Sequence, residues 1–427
     1  MTRQSETVHM NALIMSAAPS IDMNIRGKKI MCMRLKTLLA LLSIAAALAA
    51  PAAHAQTIKI GAPLALTGGL ADEGKKQQIA YDMWLKRVND GGGISVGAKK
   101  MKVELIVYDY QTNEQRAQQI AEKLIVDDKV DFLTAPFGSG HTKVVAGVAE
   151  RYGVPLMAGT ASSESVFNQG YKYLFGTLAP NSGLVDNMLA LFKKQFPTTR
   201  RIAILGREDV FPKAMATSMQ ASAPKSGIEV VYSETYPVGA LDLSAPISKM
   251  KSTNPDWIYV TGYTKDLVLA RKQMADVGLT APIITMITGP AYAEFIDALG
   301  PLAEGVTSAS WWVPVTTFKA NDAFGSTQSF TEEFRKREKI DPEYVHASSA
   351  AALVALQKAI EKAGTLDKAK VRDALASLDI MTFYGPIKFS ANGMNGGRDL
   401  PIIQVQKGKS VVLYPDGIKQ ATMVSAK

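Results

Sequence analysis

Two short segments carry the residue types most able to do chemistry. Pro136-Phe137-Gly138-Ser139-Gly140-His141-Thr142 and Gly159-Thr160-Ala161-Ser162-Ser163-Glu164 each follow a short apolar run and lead into a helical stretch. In open α/β sheets, ligands sit beyond the carboxyl ends of the strands, where helix N-termini converge. Glycine there permits close backbone approach, and hydroxyls beside unpaired helix N–H groups make a ready anion site. Two neighbouring strand ends supplying both suit a carboxylate. The same residue types serve as ordinary N-caps, so spacing alone leaves both readings open.

Other chemistries find less support. The loop Leu66-Thr67-Gly68-Gly69-Leu70-Ala71-Asp72-Glu73-Gly74 follows the first apolar run. It has no G-x-G-x-x-G, and the chain contains no G-x-x-x-x-G-K-[ST], so nucleotide binding is not indicated. Gly138-Ser139-Gly140 does not match the nucleophile elbow of hydrolases, and His141 stands too close in sequence to Ser139 to act as its base. No catalytic residue, metal site or cofactor is assigned. In Trp311-Trp312 the two rings should face opposite ways at a strand end, one toward the core and one toward a cleft. Lys336-Arg337-Glu338-Lys339 reads as a solvated helix face.

The elements around these segments alternate. Strands are predicted at Ile58–Leu64, Val103–Tyr108, Val130–Ala135 and Pro155–Ala158, with helices over Glu73–Asp90, Glu114–Asp127 and Thr142–Arg151. The rhythm resumes with strands at Arg201–Leu205, Glu229–Ser233, Trp257–Thr261 and Ile283–Met286. An Ala-rich helix is predicted over Tyr344–Lys362, and a hairpin from Ile402–Val405 and Ser410–Leu413. Short β-rich runs separated by helices imply parallel βαβ units. The reading is α/β, with two doubly wound parallel-sheet lobes. No Pro/Gly/Ser-rich joint divides them, which fits several short crossovers between lobes.

The chain has 427 residues, a net charge of +9 and a single cysteine. Its N-terminal segment, 1–55, skews those totals. Lys28, Lys29, Arg34 and Lys36 precede an apolar run over residues 37–50, followed by Pro51 and Ala53-His54-Ala55. This is the pattern of a secretory signal peptide cut after Ala55, with Met31 or Met33 as an alternative start. Removing that segment takes away six Lys/Arg and two acids, leaving 56–427 at +5. Cys32 goes with it, and only His141 and His346 remain of the histidines. A thiolate or histidine-rich metal site and a basic nucleic-acid surface are thereby disfavoured.

Several stretches together carry a resemblance. They are Ile60-Gly61-Ala62-Pro63-Leu64 with Thr67-Gly68, Asn89-Asp90-Gly91-Gly92-Gly93-Ile94, Val148-Ala149-Glu150-Arg151-Tyr152-Gly153-Val154-Pro155, and Thr382-Phe383-Tyr384-Gly385-Pro386-Ile387-Lys388-Phe389. From Thr57 onward the chain resembles the periplasmic leucine/isoleucine/valine-binding family, the solute-binding proteins of amino-acid and amide ABC transporters. The resemblance implies a type I periplasmic binding fold, with crossovers near residues 178–181, 312–316 and 394–400. Lobe 1 would be 57–178 plus 316–394, and lobe 2 would be 181–312 plus 400–427, with the ligand in the cleft between.

The family's carboxylate grip falls on Ser139 and on Thr160, Ala161 and Ser162. Its first-lobe aromatic positions fall on Glu73 and Tyr344, and its second-lobe aromatic positions on Phe211 and Tyr263. One departure matters: branched-chain amino-acid binders hold the solute's ammonium with a second-lobe acid where this chain reads Ile287-Thr288-Gly289. Either Glu73 supplies that charge from the other lobe or the solute has no ammonium. The implied function is a periplasmic receptor, most simply monomeric, that passes a carboxylate-bearing solute to membrane permease subunits. A branched-chain amino acid is the leading solute, and an aromatic or aliphatic carboxylate or an amide the alternative. A sensing module for a membrane receptor is a further reading. No enzymatic chemistry and no nucleic-acid partner are implied.

Overall fold

The computed structural model describes residues 57–396 and 399–426. The expected signal peptide lies outside them, as does part of the third expected crossover. The chain opens with β1 (Ile58–Leu64), α1 (Ala71–Asp90), a small hairpin β2 (Ile94–Val96) and β3 (Lys99–Met101), β4 (Val103–Asp109) and α2 (Glu114–Val126). It continues through β5 (Phe132–Thr134), α3 (Ser139–Tyr152), β6 (Leu156–Ala158), the short α4 (Glu164–Phe167) and β7 (Leu174–Gly176). The first sheet is wholly parallel, in the order β4-β1-β5-β6-β7.

A second βα series follows: α5 (Asn181–Gln195), β8 (Arg201–Arg207), α6 (Val210–Ser222), β9 (Glu229–Tyr236), α7 (Ser244–Ser252), β10 (Trp257–Thr261), α8 (Thr264–Asp276), β11 (Ile283–Ile287), α9 (Ala293–Leu299) and β12 (Thr307–Ala309). The chain then returns to the first sheet's side with α10 (Thr327–Glu338), α11 (Tyr344–Ala363), α12 (Lys368–Ala376), β13 (Asp379–Thr382) and β14 (Gly385–Lys388). It ends in β15 (Ile402–Gln406) and β16 (Lys409–Tyr414), the expected hairpin. That hairpin pairs antiparallel onto β12 and completes the order β16-β15-β12-β11-β10-β8-β9. The molecule is therefore two α/β lobes, and the expected hairpin forms an antiparallel edge on the otherwise parallel second sheet.

Burial explains the strand composition. β1 and β10 are covered on both faces and read as near-continuous apolar runs, as parallel sheets require. α11 is buried almost all round, between α1 and β6. Its alanines are what a helix hemmed in on several sides needs for close packing.

The passages between lobes lie side by side. Asn395 donates from Nδ2 to the Thr177 carbonyl (3.1 Å), Trp311 donates from Nε1 to the Ala179 carbonyl (3.1 Å), and the Ser310 N–H donates to Pro401 (2.8 Å). Three strands of backbone tied at one edge form a natural hinge axis.

Candidate functional site

In each sheet the strand order reverses beside the first strand of its series, between β1 and β5 and between β8 and β10. Loops leaving those strands diverge and open a crevice. In the first lobe they deliver Glu73 after β1 and Ser139 after β5, with residues 159–163 next to them after β6. In the second they deliver Arg207 and Phe211 after β8 and Tyr263 after β10. The two crevices face each other.

The first-lobe wall begins at Gly138, the N-cap of α3. Its φ is 85°, a left-handed value reached readily only by glycine. The helix thus starts at Ser139, earlier than periodicity alone suggested, and its first N–H groups have no intrahelical acceptor. Ser139 is fully buried, and its hydroxyl oxygen accepts the N–H groups of Ser162 and Ser163, each at 3.3 Å. The two sequence segments are therefore locked together, with the Ser139 proton left to donate. Thr160 reaches back to the Pro136 carbonyl (3.4 Å), and Ala161 is buried beneath.

Aromatic rings close the other walls. Phe137, Gly138, Thr160, Ser162, Leu178, Phe211, Tyr263, Trp311 and Tyr344 enclose a cavity of about 10 Å³. That is room for about one water. Ring centroids of Phe211 and Tyr263 lie 6.2 Å apart, those of Phe211 and Trp311 5.7 Å, and those of Trp311 and Tyr344 5.1 Å. The Tyr263 hydroxyl stands 3.1 Å from where a Cβ on Gly138 would be, so the lobes meet at the carboxylate-type cradle.

Glu73 is buried beside this cavity without lining it. Thr264 of the second lobe donates to its Oε1 (3.3 Å), and burial raises its carboxyl above the ordinary carboxylate range. Thr288 takes up a positive φ of 78°, gives its hydroxyl to the Gly262 carbonyl (3.4 Å) and receives no place in the cavity wall. Of the nine positions singled out in the sequence, Thr160, Ser162, Phe211, Tyr263 and Tyr344 line the cavity. Ser139, Ala161 and Glu73 back it, and Thr288 sits in the second lobe's own framework. Among the described residues no three His, Asp or Glu groups converge as a metal site.

A second cluster ties the lobes beside the cavity. The Lys76 ammonium, on α1, lies 2.5 Å from Glu343 of its own lobe and 2.8 Å from Glu294 of the other. It also stands 4.2 Å from the centroid of the Tyr292 ring. Glu343 accepts the Ala293 N–H (2.9 Å), and the Tyr292 and Tyr344 hydroxyls are 2.7 Å apart. Burial pushes the Glu343 carboxyl up to about 7, with Lys76 opposing.

Residues 57–410 match the periplasmic binding protein family. The chain belongs to that family. Among curated relatives, the leucine-, isoleucine-, valine-, threonine- and alanine-binding protein of Pseudomonas aeruginosa is 27% identical over 84% of this chain and 92% of its own. Among solved structures, a leucine-binding protein of Thermotoga maritima superposes with a TM-score of 0.75 at 22% identity, covering 83% of this chain and 97% of its own. A Rhodopseudomonas palustris solute-binding protein in complex with benzoate gives 0.70 at 19% identity, covering 86% and 99%. These structural likenesses bear on the fold.

Against that family background, the residues that sequence reasoning left out are instructive. In the sequence Trp311 stands out only as half of the Trp311-Trp312 pair. β12 ends at Ala309, so the pair lies on the crossover. Trp311 turns to Phe211 and Tyr344, while Trp312 packs edge-on against Phe330. Leu178 enters the wall from the first crossover, and Phe137 from the cradle turn itself. Lys76 gave no signal, because a lysine on a helix whose partners, Glu294 and Glu343, lie far along the chain reads as surface.

Proposed function

We propose that this protein is the periplasmic receptor of an ABC importer, closing its lobes around a small carboxylate-bearing solute and presenting the closed form to membrane permease subunits. The observation that carries this is the cradle of Ser139, Thr160 and Ser162 facing the Tyr263 hydroxyl across Gly138. Hydroxyls and helix N–H groups around one point suit an anion, and the aromatic wall suits an apolar side chain. Hinge opening along the tied crossings admits a solute that the closed cavity does not, and contacts to both lobes then favour closure. Support also comes from the relatives' names. In this reading the signal peptide is removed after Ala55, the receptor acts as a monomer without cofactor or bond-making chemistry, and the lobes are residues 57–178 plus 316–394 and 181–312 plus 400–427.

A branched-chain amino acid is the leading solute. Its carboxylate would sit on Ser139, Thr160, Ala161 and Ser162, and its ammonium would face Glu73, since Thr288 replaces the second-lobe acid. An aromatic carboxylate is the second reading, favoured by the rings of Phe137, Phe211, Tyr263, Trp311 and Tyr344. A thermal-shift screen of the exported protein against amino acids, amides and benzoates tests this. A solute at 100 times its Kd adds about 2.7 kcal/mol, and the absence of a shift from every carboxylate would overturn the reading. Sensing by a membrane receptor would instead appear as solute-dependent binding to a receptor ectodomain.

A further inference from the structure

We infer that Arg207 is a positioning residue that sets the second lobe's grip on the solute by holding Tyr263. The inference rests on the proposed receptor reading, because it assigns Tyr263 the second lobe's contact with a solute carboxylate. Of the second-lobe residues in the cavity wall, Phe211 is apolar and Trp311 gives its indole N–H to the Ala179 carbonyl, so the polar side-chain atom that this lobe aims at the cradle is the Tyr263 hydroxyl. How well that hydroxyl is aimed at the cradle therefore decides how strongly closure is coupled to the anion.

Phe137 and Phe211 pack against the Tyr263 ring, and Arg207 adds one direct contact to it and braces the two carboxylates that cap its neighbourhood. The guanidinium lies 5.0 Å from the Tyr263 ring centroid, within cation–π range. Its Nη1 donates to Asp266 Oδ2 at 2.5 Å, and the same oxygen accepts the Tyr263 backbone N–H at 3.2 Å. Its Nε is 3.6 Å from Asp209, whose carboxylate accepts the Val210 N–H at the start of α6, one residue before Phe211. Ring face, backbone and neighbouring wall thus share one cation at the end of β8.

The arrangement is costly as a stability device. Side chains of Arg207 and Asp266 are only 11% and 9% exposed, and buried ion pairs are often no more stabilising than apolar replacements of similar volume. Its geometric effect is specific: a planar fork can hold a carboxylate while stacking on a ring, which an ammonium does less well. The cation beneath the ring also makes the phenol a better donor toward an anion on the far side.

The test is a double-mutant cycle on the exported protein, read by calorimetric titration with L-leucine and with benzoate. Arg207→Met should raise Kd about tenfold, the low end for losing a hydrogen bond to a charged group, and should add nothing further in a Tyr263→Phe background. Arg207→Lys serves where the methionine variant does not fold, and should move Kd in the same direction. An equal factor in both backgrounds, or no change, would overturn the inference. Carbon-13 labelling of the tyrosine ring carbon that bears the hydroxyl gives a readout independent of solute. A shifted or broadened Tyr263 resonance in the Arg207 variants supports the positioning role, and an unmoved one overturns it. Failure of the wild type to bind either probe would count against the receptor reading, while the resonance still decides the role of Arg207.

Discussion

Replacing Lys76 by methionine leaves Glu343 buried with no ammonium beside it. Side chains of the two residues are 8% and 9% exposed, and breaking such a pair ordinarily costs about 3–5 kcal/mol because the surviving charge is stranded. Glu343 has an alternative. Burial already pushes its carboxyl up to about 7, so near neutral pH it takes up a proton at little cost. At pH 6, where Glu343 is largely protonated, Lys76→Met should therefore lose only the hydrogen bonds of the ammonium to Glu343 and Glu294 and its contact with Tyr292, about 1–2 kcal/mol in all. Above pH 7 the loss should grow by about 1.4 kcal/mol per unit, until it reaches the stranded-charge range near pH 9.

The direction follows from linkage. The folded Glu343 carboxyl is raised from 4.5, so the folded chain holds an extra proton between there and about pH 7. That contribution to stability is complete below pH 4.5 and is lost as pH rises through about 7. Against burial, which lowers it, Glu343 and Glu294 raise the Lys76 ammonium above its ordinary range, so Lys76 stays charged throughout. His346 accepts the Glu343 N–H at Nδ1 and is held neutral, its pKa lowered to about 3 by burial, and adds no charge. Urea unfolding at pH 6 to 9, followed by the fluorescence of four buried tryptophans, measures the difference. A loss that is constant or shrinking with pH would refute the argument. The double variant Lys76→Met/Glu343→Gln should flatten the profile.

Three further outcomes are expected. Ser139→Ala should weaken a carboxylate solute by about 1.5–3 kcal/mol, the worth of a hydrogen bond to a charged group, and should also lower the melting temperature, because the Ser162 and Ser163 N–H groups lose their acceptor. Glu73→Gln should reduce the affinity for L-leucine more than about tenfold on titration calorimetry while leaving benzoate within about twofold, if an ammonium faces that carboxylate. Gly138→Ala should disfavour the closed form, seen as a larger radius of gyration in solution scattering. The substitution strains a φ of 85° and puts a methyl 3.1 Å from the Tyr263 hydroxyl.

The parts of this protein that a linear reading captured share a physical origin. Parallel strands buried on both faces must be apolar without interruption, so β1, β8, β10 and β11 announce themselves from their first residue, and only the ends of β8 and β11 run one or two residues further than expected. Hydroxyl-rich turns after such strands sit where an α/β sheet binds ligands, which is why Ser139, Thr160 and Ser162 stand out. What stayed hidden depends on contacts between residues far apart along the chain. Trp311 becomes a wall only because β12 stops at Ala309 and the crossover rotates the ring toward Tyr344. Arg207 ends a strand and looks like a solvated cap until α8 brings Asp266 against it. Thr288 corresponds in sequence to the family's acid position, and the turn after β11 folds its hydroxyl onto the Gly262 carbonyl.

The closed geometry also contains its own opposition. Gly140 has no side chain, and a Cβ there would lie 3.0 Å from Asp209 of the second lobe and 3.1 Å from Glu114 of the first. Two carboxylates from opposite lobes therefore converge at the mouth; Arg207, shared with Asp266, offsets Asp209 only in part, and His141 beside them adds no charge, because burial lowers its pKa. Like charges brought together from opposite lobes favour opening, while Lys76 with Glu294, Thr264 with Glu73, and Tyr292 with Tyr344 favour closing. A solute needs to shift only the remainder. Moving a two-state equilibrium from 1:99 to 99:1 takes about 5.5 kcal/mol of differential binding, and each interlobe contact present without solute lowers what the solute must supply. By that reasoning Glu114→Gln should tighten solute binding through a more populated closed form. The same substitution should shrink the radius of gyration before any solute is added, and a change in affinity without that compaction would mean that Glu114 acts on the solute directly.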